Sequence, residues 1–160
     1  MQTRTSKNTD INGRQNKVPK PFSLFRFLPG QIVFDYGCGR ETRLVRHIVE
    51  SQGATYIPYD KYHKSEGSLD DLHNGVDVTV CANVLNVIDD DETILAIIKD
   101  ICNNSRKSIF KMYERAGDNR GIETADDQWQ NNYPLSWYVE QMTKLGFEPR
   151  KEKGCLVWER

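Results

Sequence analysis

One run of ten residues constrains the fold of this chain more than any other. It is Val33-Phe34-Asp35-Tyr36-Gly37-Cys38-Gly39-Arg40-Glu41-Thr42. The apolar residues up to Asp35 predict a strand, and the apolar residues at helical spacing after Thr42 predict a helix. Gly37 and Gly39 permit backbone torsions and a close ligand approach that a side chain would block. A strand, a glycine turn and a helix in this order favour an α/β fold whose turn binds a nucleotide-like ligand.

Two carboxylates flank this turn, one on Asp35 and one on Glu41. Backbone amides and the helix dipole attract anions at a helix N-terminus, but two carboxylates there would repel a pyrophosphate. They would attract a ligand that carries an ammonium and a sulfonium group. The pattern therefore favours S-adenosylmethionine as the adenosyl ligand, with a nicotinamide oxidoreductase as a less favoured alternative. An ordinary strand-turn-helix, in which the glycines only shape the turn, stays open as another interpretation.

The segment from Val33 to Gly39 resembles the first motif of the class I S-adenosylmethionine-dependent methyltransferases. That motif has hydrophobic residues, then Asp-x-Gly-x-Gly and usually a third glycine, whose position Glu41 occupies here. The chain is most similar to small phage-type methyltransferases and to those associated with DNA phosphorothioation. These carry Asp-Tyr-Gly-Cys-Gly and, further along, Val-Leu-Asn-Val-Ile, which is present here as residues 84 to 88. The resemblance covers most of residues 14 to 147 and implies a Rossmann-like fold, this cofactor and methyl transfer.

The residues that bind the cofactor are predicted to lie at the carboxyl ends of strands, where ligands bind in doubly wound sheets. Asp60 follows the second predicted strand, near the spacing at which an acidic side chain binds ribose hydroxyls. The resemblance places Asn83 and Val84 beside the methionine portion and the transferred methyl group. The predicted cofactor-binding residues are Asp35, Tyr36, Gly37, Cys38, Gly39, Asp60, Lys61, Asn83 and Val84. No metal site is predicted, because the four cysteines have no zinc-like spacing.

Predicted strands and helices alternate along the remaining chain. The strands are residues 31–35, 54–58, 76–81 and 107–113, and the helices are residues 42–51, a helix after residues 89–91, and residues 134–145. This alternation predicts a single domain, residues 14–160, with a mostly parallel twisted sheet and helices on both faces. Residues 147–150 and 155–158 flank Lys153-Gly154 and predict a C-terminal antiparallel hairpin.

A polar loop before the last predicted helix ends in aromatic and amide side chains. Trp129 is predicted to stack on a planar substrate while Gln130 and Asn131 contact its edge. The alternative is that the aromatic rings cover the sheet edge and the amides bind loop backbone. Methyl transfer depends chiefly on holding the nucleophile and the methyl group in line. The candidate catalytic residues are Asn83, and Glu114 and Tyr133 as groups that can take a proton.

Residues 1–13 are predicted to form a flexible basic arm. Residues 1–20 carry five Lys or Arg residues against one Asp. A basic arm can bind phosphates, which favours an acceptor that is nucleic acid or a nucleotide-like ring, although a solvated tail is the alternative. The chain has no Pro-Pro-Tyr segment of adenine-amino methyltransferases and no Pro-Cys segment of cytosine methyltransferases, so those two routes are disfavoured.

The length and composition limit the remaining functional classes. No apolar run approaches the roughly 18 to 20 residues that cross a bilayer, and no apolar signal segment is present, so we expect a cytoplasmic protein. We expect a monomer or a weak dimer. Because the chain has only 160 residues and lacks the third glycine, the alternative function is a cofactor-binding protein that does not transfer methyl groups, such as an inhibitor or interaction protein.

Overall fold

The computed structural model describes residues 18–113, 122–125 and 128–160. Within these residues the elements are, in chain order, α1 (Lys20–Leu24), β1 (Ile32–Tyr36), α2 (Arg43–Ser51), β2 (Thr55–Tyr59), α3 (Leu69–His73), β3 (Val76–Ala82), a 3₁₀ turn (Leu85–Val87), α4 (Asp91–Asn104), β4 (Ser105–Lys111), β5 (Ile122–Ala125), β6 (Gln128–Gln130), α5 (Leu135–Lys144), β7 (Arg150–Glu152) and β8 (Cys155–Glu159). The predicted basic arm, residues 1–13, lies outside the described residues.

Six strands form one sheet in the order β2-β1-β3-β4-β8-β7. β2, β1, β3 and β4 are parallel to one another, whereas β8 is antiparallel to both β4 and β7. β5 and β6 form a separate antiparallel pair. The prediction of an α/β domain with a mostly parallel sheet and a C-terminal antiparallel hairpin is confirmed.

The predicted bounds of the hairpin shift in the structure. β7 begins at Arg150 rather than at Phe147. Pro149, just before it, has no amide that can donate to β8, which explains why pairing starts after it. Phe147 instead packs its ring edge-on against Trp158, with ring centroids 5.1 Å apart.

The strand order reverses direction at β1, which lies between β2 and β3. Tyr36 at the end of β1 is in register with Tyr59 of β2 on one side and with Cys81 of β3 on the other. The carboxyl ends of the three strands therefore align at one edge. Such a reversal leaves a crevice beyond these ends, and this is where open α/β sheets bind ligands.

Helices cover both faces of the sheet, because the side chains of a buried strand alternate between the two faces. Val33 faces α1 and α2, and Phe34 faces α4 and α5. The first core includes Phe22, Val45, Val49, Val78 and Val80, and the second includes Ile94, Ile98, Phe110, Tyr138 and Met142. None of the described helices is long and apolar enough to cross a membrane.

Candidate functional site

The glycine turn after β1 is held against the end of β2. The amides of Gly37 and Cys38 both donate to the carbonyl oxygen of Tyr59, at 2.8 and 2.9 Å. Gly37 has a φ of +83°, and an added Cβ would collide with Cγ2 of Val84. Glycine is therefore required at position 37 by its backbone conformation and by the packing of the chain after β3. Two of the predicted cofactor-binding residues, Gly37 and Val84, are in contact.

Asp60 joins the glycine turn to the loop after β2. Its Oδ2 accepts a hydrogen bond from the amide of Gly39 at 2.9 Å, and its Oδ1 accepts from the amides of Tyr62 and His63 at 2.8 and 3.0 Å. A carboxylate oxygen has two lone-pair sites, so these bonds leave acceptor capacity for ribose hydroxyls. The contact of Asp60 with a ribose stays a prediction, and the structure places the residue beside the turn that this prediction requires.

Asp35 is buried, with only 3% of its surface exposed. The hydroxyl of Tyr56 donates to Oδ2 of Asp35 at 2.5 Å. Burial raises the pKa of Asp35 to about 7; the Tyr56 hydrogen bond lowers this pKa, and the charge of Asp60 raises it further. Asp35 is thus only partly ionised at neutral pH, so the carboxylates of Asp60 and Glu41 contribute most of the repulsion of a pyrophosphate.

Tyr56 was not among the residues predicted for the site. Its place in β2 is the feature that could have indicated a contact with Asp35. Tyr56 is in register with Val33 of β1, and Val33 lies two residues before Asp35. Side chains two residues apart on neighbouring parallel strands lie on the same face of a sheet. The pairing of Tyr56 with Asp35 follows from the register, which the sequence pattern alone did not provide.

Glu41 takes the place of the third glycine without obstructing the turn. Its side chain is exposed, and Oε1 accepts a hydrogen bond from the amide of Arg43, the first residue of α2, at 3.2 Å. A carboxylate there satisfies a free amide at the helix N-terminus and is stabilised by the helix dipole. The departure from the motif therefore has a local structural role.

Asn83 directly follows β3 and adopts a left-handed backbone conformation, with a φ of +60°. Its amide donates to the carbonyl of Lys111 at the end of β4, at 2.7 Å. A left-handed non-glycine residue is uncommon, and such residues concentrate at functional sites. This conformation turns the chain so that Val84 packs onto Gly37, and it supports the predicted position of both residues at the crevice.

Two cavities adjoin the predicted cofactor residues. One, of about 230 Å³, lies between the glycine turn, where Cys38 and Gly39 line it, and the loop after β2. The other is an open groove of about 650 Å³ between Tyr36 and the outer side of α4. Lys61 is exposed and lines neither cavity, with Nζ 5.5 Å from the ring centroid of Tyr62.

The segment after β6 is bound to the 3₁₀ turn that follows β3. Asn131 donates its backbone amide to the carbonyl of Asn86 at 2.9 Å and its Nδ2 to the carbonyl of Leu85 at 2.7 Å. Its Oδ1 accepts from the amide of Tyr133 and from the hydroxyl of Tyr138, at 3.1 and 3.2 Å. Because Asn131 is buried and both ends of its amide are bonded, the predicted substrate contact does not fit this geometry. Asn131 holds the loop in place.

Gln130 contacts the same 3₁₀ turn through its side chain. Its Oε1 accepts a hydrogen bond from Nδ2 of Asn86 at 3.2 Å, and its Nε2 donates to the carbonyl of Tyr113 at 3.4 Å. Gln130 is half-buried, so it stays a candidate for substrate contact. Trp129 lies in β6, but its side chain is outside what the structure describes, and Glu114 lies outside the described residues altogether.

Tyr133 does not have the properties of a general base. Its hydroxyl donates to Oδ1 of Asp91 at 2.8 Å, and its ring stacks on Trp137 with centroids 3.9 Å apart. Burial, followed by the hydrogen bond to Asp91 and its charge, raises the pKa of Tyr133 to about 12. A phenol that ionises only far above neutral pH is a poor proton acceptor. Tyr133 instead orients Trp137 beside the loop.

No group of three metal-ligating side chains is found in the part of the chain that the structure describes. The donor set at the crevice consists of carboxylates, backbone amides and glycines. Carboxylates and backbone amides of this kind can bind the hydroxyl groups and the positive charge of an organic ligand.

The sequence matches no protein-family model and no curated protein sequence. Three of the solved structures that are similar in fold are methyltransferases. A 1,6-didemethyltoxoflavin-N1-methyltransferase from Burkholderia thailandensis, solved with 1,6-didemethyltoxoflavin and S-adenosylhomocysteine bound, has a TM-score of 0.63 and 15% identity, over 82% of this chain and 72% of that one. A S-adenosylmethionine-dependent methyltransferase from Aquifex aeolicus has a TM-score of 0.56 and 13% identity, over 96% and 94%.

The third is a S-adenosylmethionine-dependent methyltransferase from Mesorhizobium loti, with a TM-score of 0.51 and 12% identity, over 86% of this chain and 94% of that one. The Aquifex and Mesorhizobium proteins are described as S-adenosylmethionine-dependent and the Burkholderia protein was solved with S-adenosylhomocysteine, and at identities this low the similarity shows a shared fold alone. The chain therefore has the fold of the S-adenosylmethionine-dependent methyltransferases, with its glycine turn at the crevice where the strand order reverses.

Proposed function

We propose that this protein is a S-adenosylmethionine-dependent methyltransferase that acts on a planar, nucleotide-like heterocycle. The observation that carries the cofactor assignment is the bond between Asp60 and the amide of Gly39. This hydrogen bond joins the glycine turn after β1 to the acidic residue after β2. Val84, which packs against Gly37, brings the chain after β3 to the same crevice. Ligands of doubly wound folds bind in this crevice.

The residues at the crevice fit the chemical groups of the cofactor. Asp60 has acceptor capacity for ribose hydroxyls, and the negative charge of Asp35, where ionised, favours an ammonium or sulfonium group nearby. Glu41 adds a carboxylate at the start of α2. When bound, S-adenosylmethionine supplies an electrophilic methyl group on a sulfonium.

The contribution of the protein to transfer is mainly positional. Asn83 is held in one backbone conformation by its bond to Lys111, and the loop after β6 is bound to the 3₁₀ turn by Asn131. Rigid walls of this kind hold an acceptor in line with a methyl group, which accounts for much of the acceleration of a displacement reaction. In the proposed reaction the acceptor nitrogen would form a new bond to the methyl carbon while the bond from that carbon to the sulfonium sulfur breaks, S-adenosylhomocysteine would leave, and the proton of the nitrogen would pass to water. Glu114 remains a candidate proton acceptor.

Three observations support a ring as the acceptor. β6 ends with Gln130 beside the 3₁₀ turn, and Trp137 with Tyr133 offers stacked aromatic rings close by. The Burkholderia neighbour binds a fused heterocycle. The basic residues of positions 1–20 and the resemblance to phage-type enzymes favour nucleic acid as the source of such a ring. We further infer a cytoplasmic protein that is a monomer or weak dimer, and size-exclusion chromatography with light scattering tests the latter.

Calorimetry with S-adenosylmethionine, S-adenosylhomocysteine and NAD tests the cofactor. We expect the first two to bind and NAD not to bind, and binding of NAD alone would overturn the proposal. Incubation with methyl-labelled S-adenosylmethionine then tests transfer to 1,6-didemethyltoxoflavin, lumazine, adenosine, cytidine, and short DNA and RNA strands. Cofactor binding with no label in any of these acceptors would favour the second candidate, a cofactor-binding protein without transferase activity.

A further inference from the structure

A buried amide beside the loop after β6 lacks one hydrogen-bond partner. Asn86 lies in the 3₁₀ turn, and only 3% of its surface is exposed. Its Nδ2 donates to Gln130, but its Oδ1 has no hydrogen-bond partner among the described residues. Burying a carbonyl oxygen without a partner costs folding free energy, so each such atom in a native structure requires an explanation.

The orientation of this amide follows from its neighbours. The carbonyl of Tyr113 is only an acceptor, so the end of Gln130 that faces it must be the amino group. The other end of the Gln130 amide is then the oxygen, and it requires a donor from Asn86. Asn86 must therefore turn its amino group to Gln130 and leave its oxygen free. The unpaired atom is an acceptor and not a donor.

The position of Asn86 is fixed by the backbone around it. Its carbonyl accepts from the amide of Asn131, and Nδ2 of Asn131 binds the carbonyl of Leu85, the residue before Asn86. Two residues earlier in the chain, Val84 packs onto the glycine turn. The free oxygen thus belongs to a rigid turn that directly follows the segment at the crevice.

We propose that Oδ1 of Asn86 accepts a hydrogen bond from an N–H group on the methyl acceptor. This inference rests on the proposed function, because it takes the crevice between the glycine turn and the loop after β6 as the acceptor site. The acceptor class is a heterocycle with an amino group or a ring N–H on the edge that faces the 3₁₀ turn. A ring that presents only carbonyl oxygens or N-methyl groups on that edge leaves Asn86 unpaired and is selected against.

Paired heterocycles test this specificity by calorimetry in the presence of saturating S-adenosylhomocysteine. The probes are lumazine against 1,3-dimethyllumazine, and adenosine against N6,N6-dimethyladenosine. We expect the wild-type protein to bind at least one N–H probe about 10-fold or more tighter than its methylated partner, as the loss of one buried hydrogen bond implies. In Asn86→Leu this ratio falls to about 2-fold or less. Asn103→Leu, which replaces an exposed asparagine of α4, keeps the wild-type ratio.

Thermal unfolding distinguishes a binding role from a structural one. Removing an unpaired buried oxygen relieves its desolvation cost, so Asn86→Leu should leave the melting temperature of the protein unchanged or raise it by about 2 to 4 °C. Its affinity for S-adenosylhomocysteine should stay within about 2-fold of the wild-type value. A large drop in melting temperature together with weaker S-adenosylhomocysteine binding would show a structural role and overturn the inference.

Gln130→Met supplies a second variant that leaves Asn86 in place. Without Oε1 of Gln130 the Asn86 amide is free to rotate and to offer its amino group, so the preference for N–H probes should fall about 3-fold or more. An unchanged preference in both Gln130→Met and Asn86→Leu would overturn the inference, as would failure of every N–H probe to bind the wild-type complex. Failure of S-adenosylhomocysteine itself to bind would instead overturn the proposed function.

Discussion

Asp60 accepts a hydrogen bond from the backbone amide of Gly39 through Oδ2 at 2.9 Å, while its Oδ1 accepts two amides of its own loop. One carboxylate therefore holds the glycine turn after β1 and the loop after β2 in a fixed arrangement. Loss of this carboxylate should therefore disturb both segments at once.

We expect Asp60→Ala to weaken binding of S-adenosylhomocysteine by about 1 to 3 kcal/mol, because it removes acceptors for the ribose and releases the glycine turn. Calorimetry measures this change. Asp77→Ala is the matched control. Its carboxylate accepts the amide of Ile32 at 2.7 Å, at the opposite, amino-terminal edge of the same sheet. The control should lose stability without losing cofactor affinity, and equal affinities for the Asp60→Ala variant and the wild type would remove Asp60 from the site.

Asp35→Asn should flatten the dependence of stability on pH. The pKa of Asp35 is raised from 3.8 to about 7 in the folded protein. Between these values the unfolded chain releases a proton that the folded protein retains, so stability falls as pH rises from about 4 to 7. This loss of stability is complete above pH 7. For a rise in pKa of this size it amounts to at most about 4 kcal/mol of the free energy of unfolding.

Urea unfolding of the wild type and Asp35→Asn at pH 4.5, 6 and 8 checks this expectation. The free energy of unfolding of the variant should increase progressively, relative to that of the wild type, as the pH increases. A constant difference across the three pH values would contradict the raised pKa. Tyr56→Phe provides the related test, because loss of its hydrogen bond to Asp35 should raise the pKa of Asp35 further and extend the fall in stability to higher pH.

Gly37→Ala should destabilise the protein for two separable reasons. A residue with a side chain at a φ of +83° costs about 1 to 2 kcal/mol, and the added Cβ also collides with Val84. Gly75→Ala is the matched control, since Gly75 has a φ of +91° but open space around the position of a Cβ. We expect Gly37→Ala to lower the free energy of unfolding more than Gly75→Ala does.

Adding Val84→Ala to Gly37→Ala separates the cost of the collision with Val84 from the cost of the backbone conformation. In a double-mutant cycle measured by denaturant unfolding, the second change should recover most of the difference between the two glycine variants. Additive effects of Gly37→Ala and Val84→Ala would show that the two residues are not in contact.

Asn131→Ala should cost about 2 to 3 kcal/mol of stability, because it leaves buried groups on Leu85 and Tyr138 without their partner. Gln130→Ala, one residue earlier and half-buried, should cost less than 1 kcal/mol, since water can replace its partners. Thermal or urea unfolding of the two variants provides the measurement. If Gln130→Ala lost more stability than Asn131→Ala, Gln130 and not Asn131 would be the residue that holds the loop in place.

Much of the fold follows from local sequence patterns. The apolar runs of β1, β3 and β4 and the spaced apolar residues of α2, α4 and α5 gave nearly correct bounds, because each pattern reports which side of one element is buried. Pro149 shifted β7 toward Arg150 through its missing amide, an effect that the apolar pattern does not include.

The glycine turn was recognisable in the sequence because its constraint is local. Gly37 and Gly39 have the positive φ angles that glycine tolerates, and both lie between a strand and a helix as predicted. Asp60 was predicted through its spacing from this turn, and its carboxylate accepts the amide of Gly39. Asn83 and Val84 were predicted from the family resemblance and from their place at the end of the central strand, which fixes where their backbone lies whatever their side chains contact.

The sequence by itself determined the order of strands and helices along the chain, the glycine turn and the edge of the sheet where the site is proposed. Only the tertiary structure decided which polar groups are paired. It buried Asp35 under Tyr56, committed Asn131 to the loop and left Oδ1 of Asn86 without a partner among the described residues. The reason is physical: a propensity or a spacing acts along the chain, whereas hydrogen bonding and desolvation depend on residues that the fold brings together from distant positions.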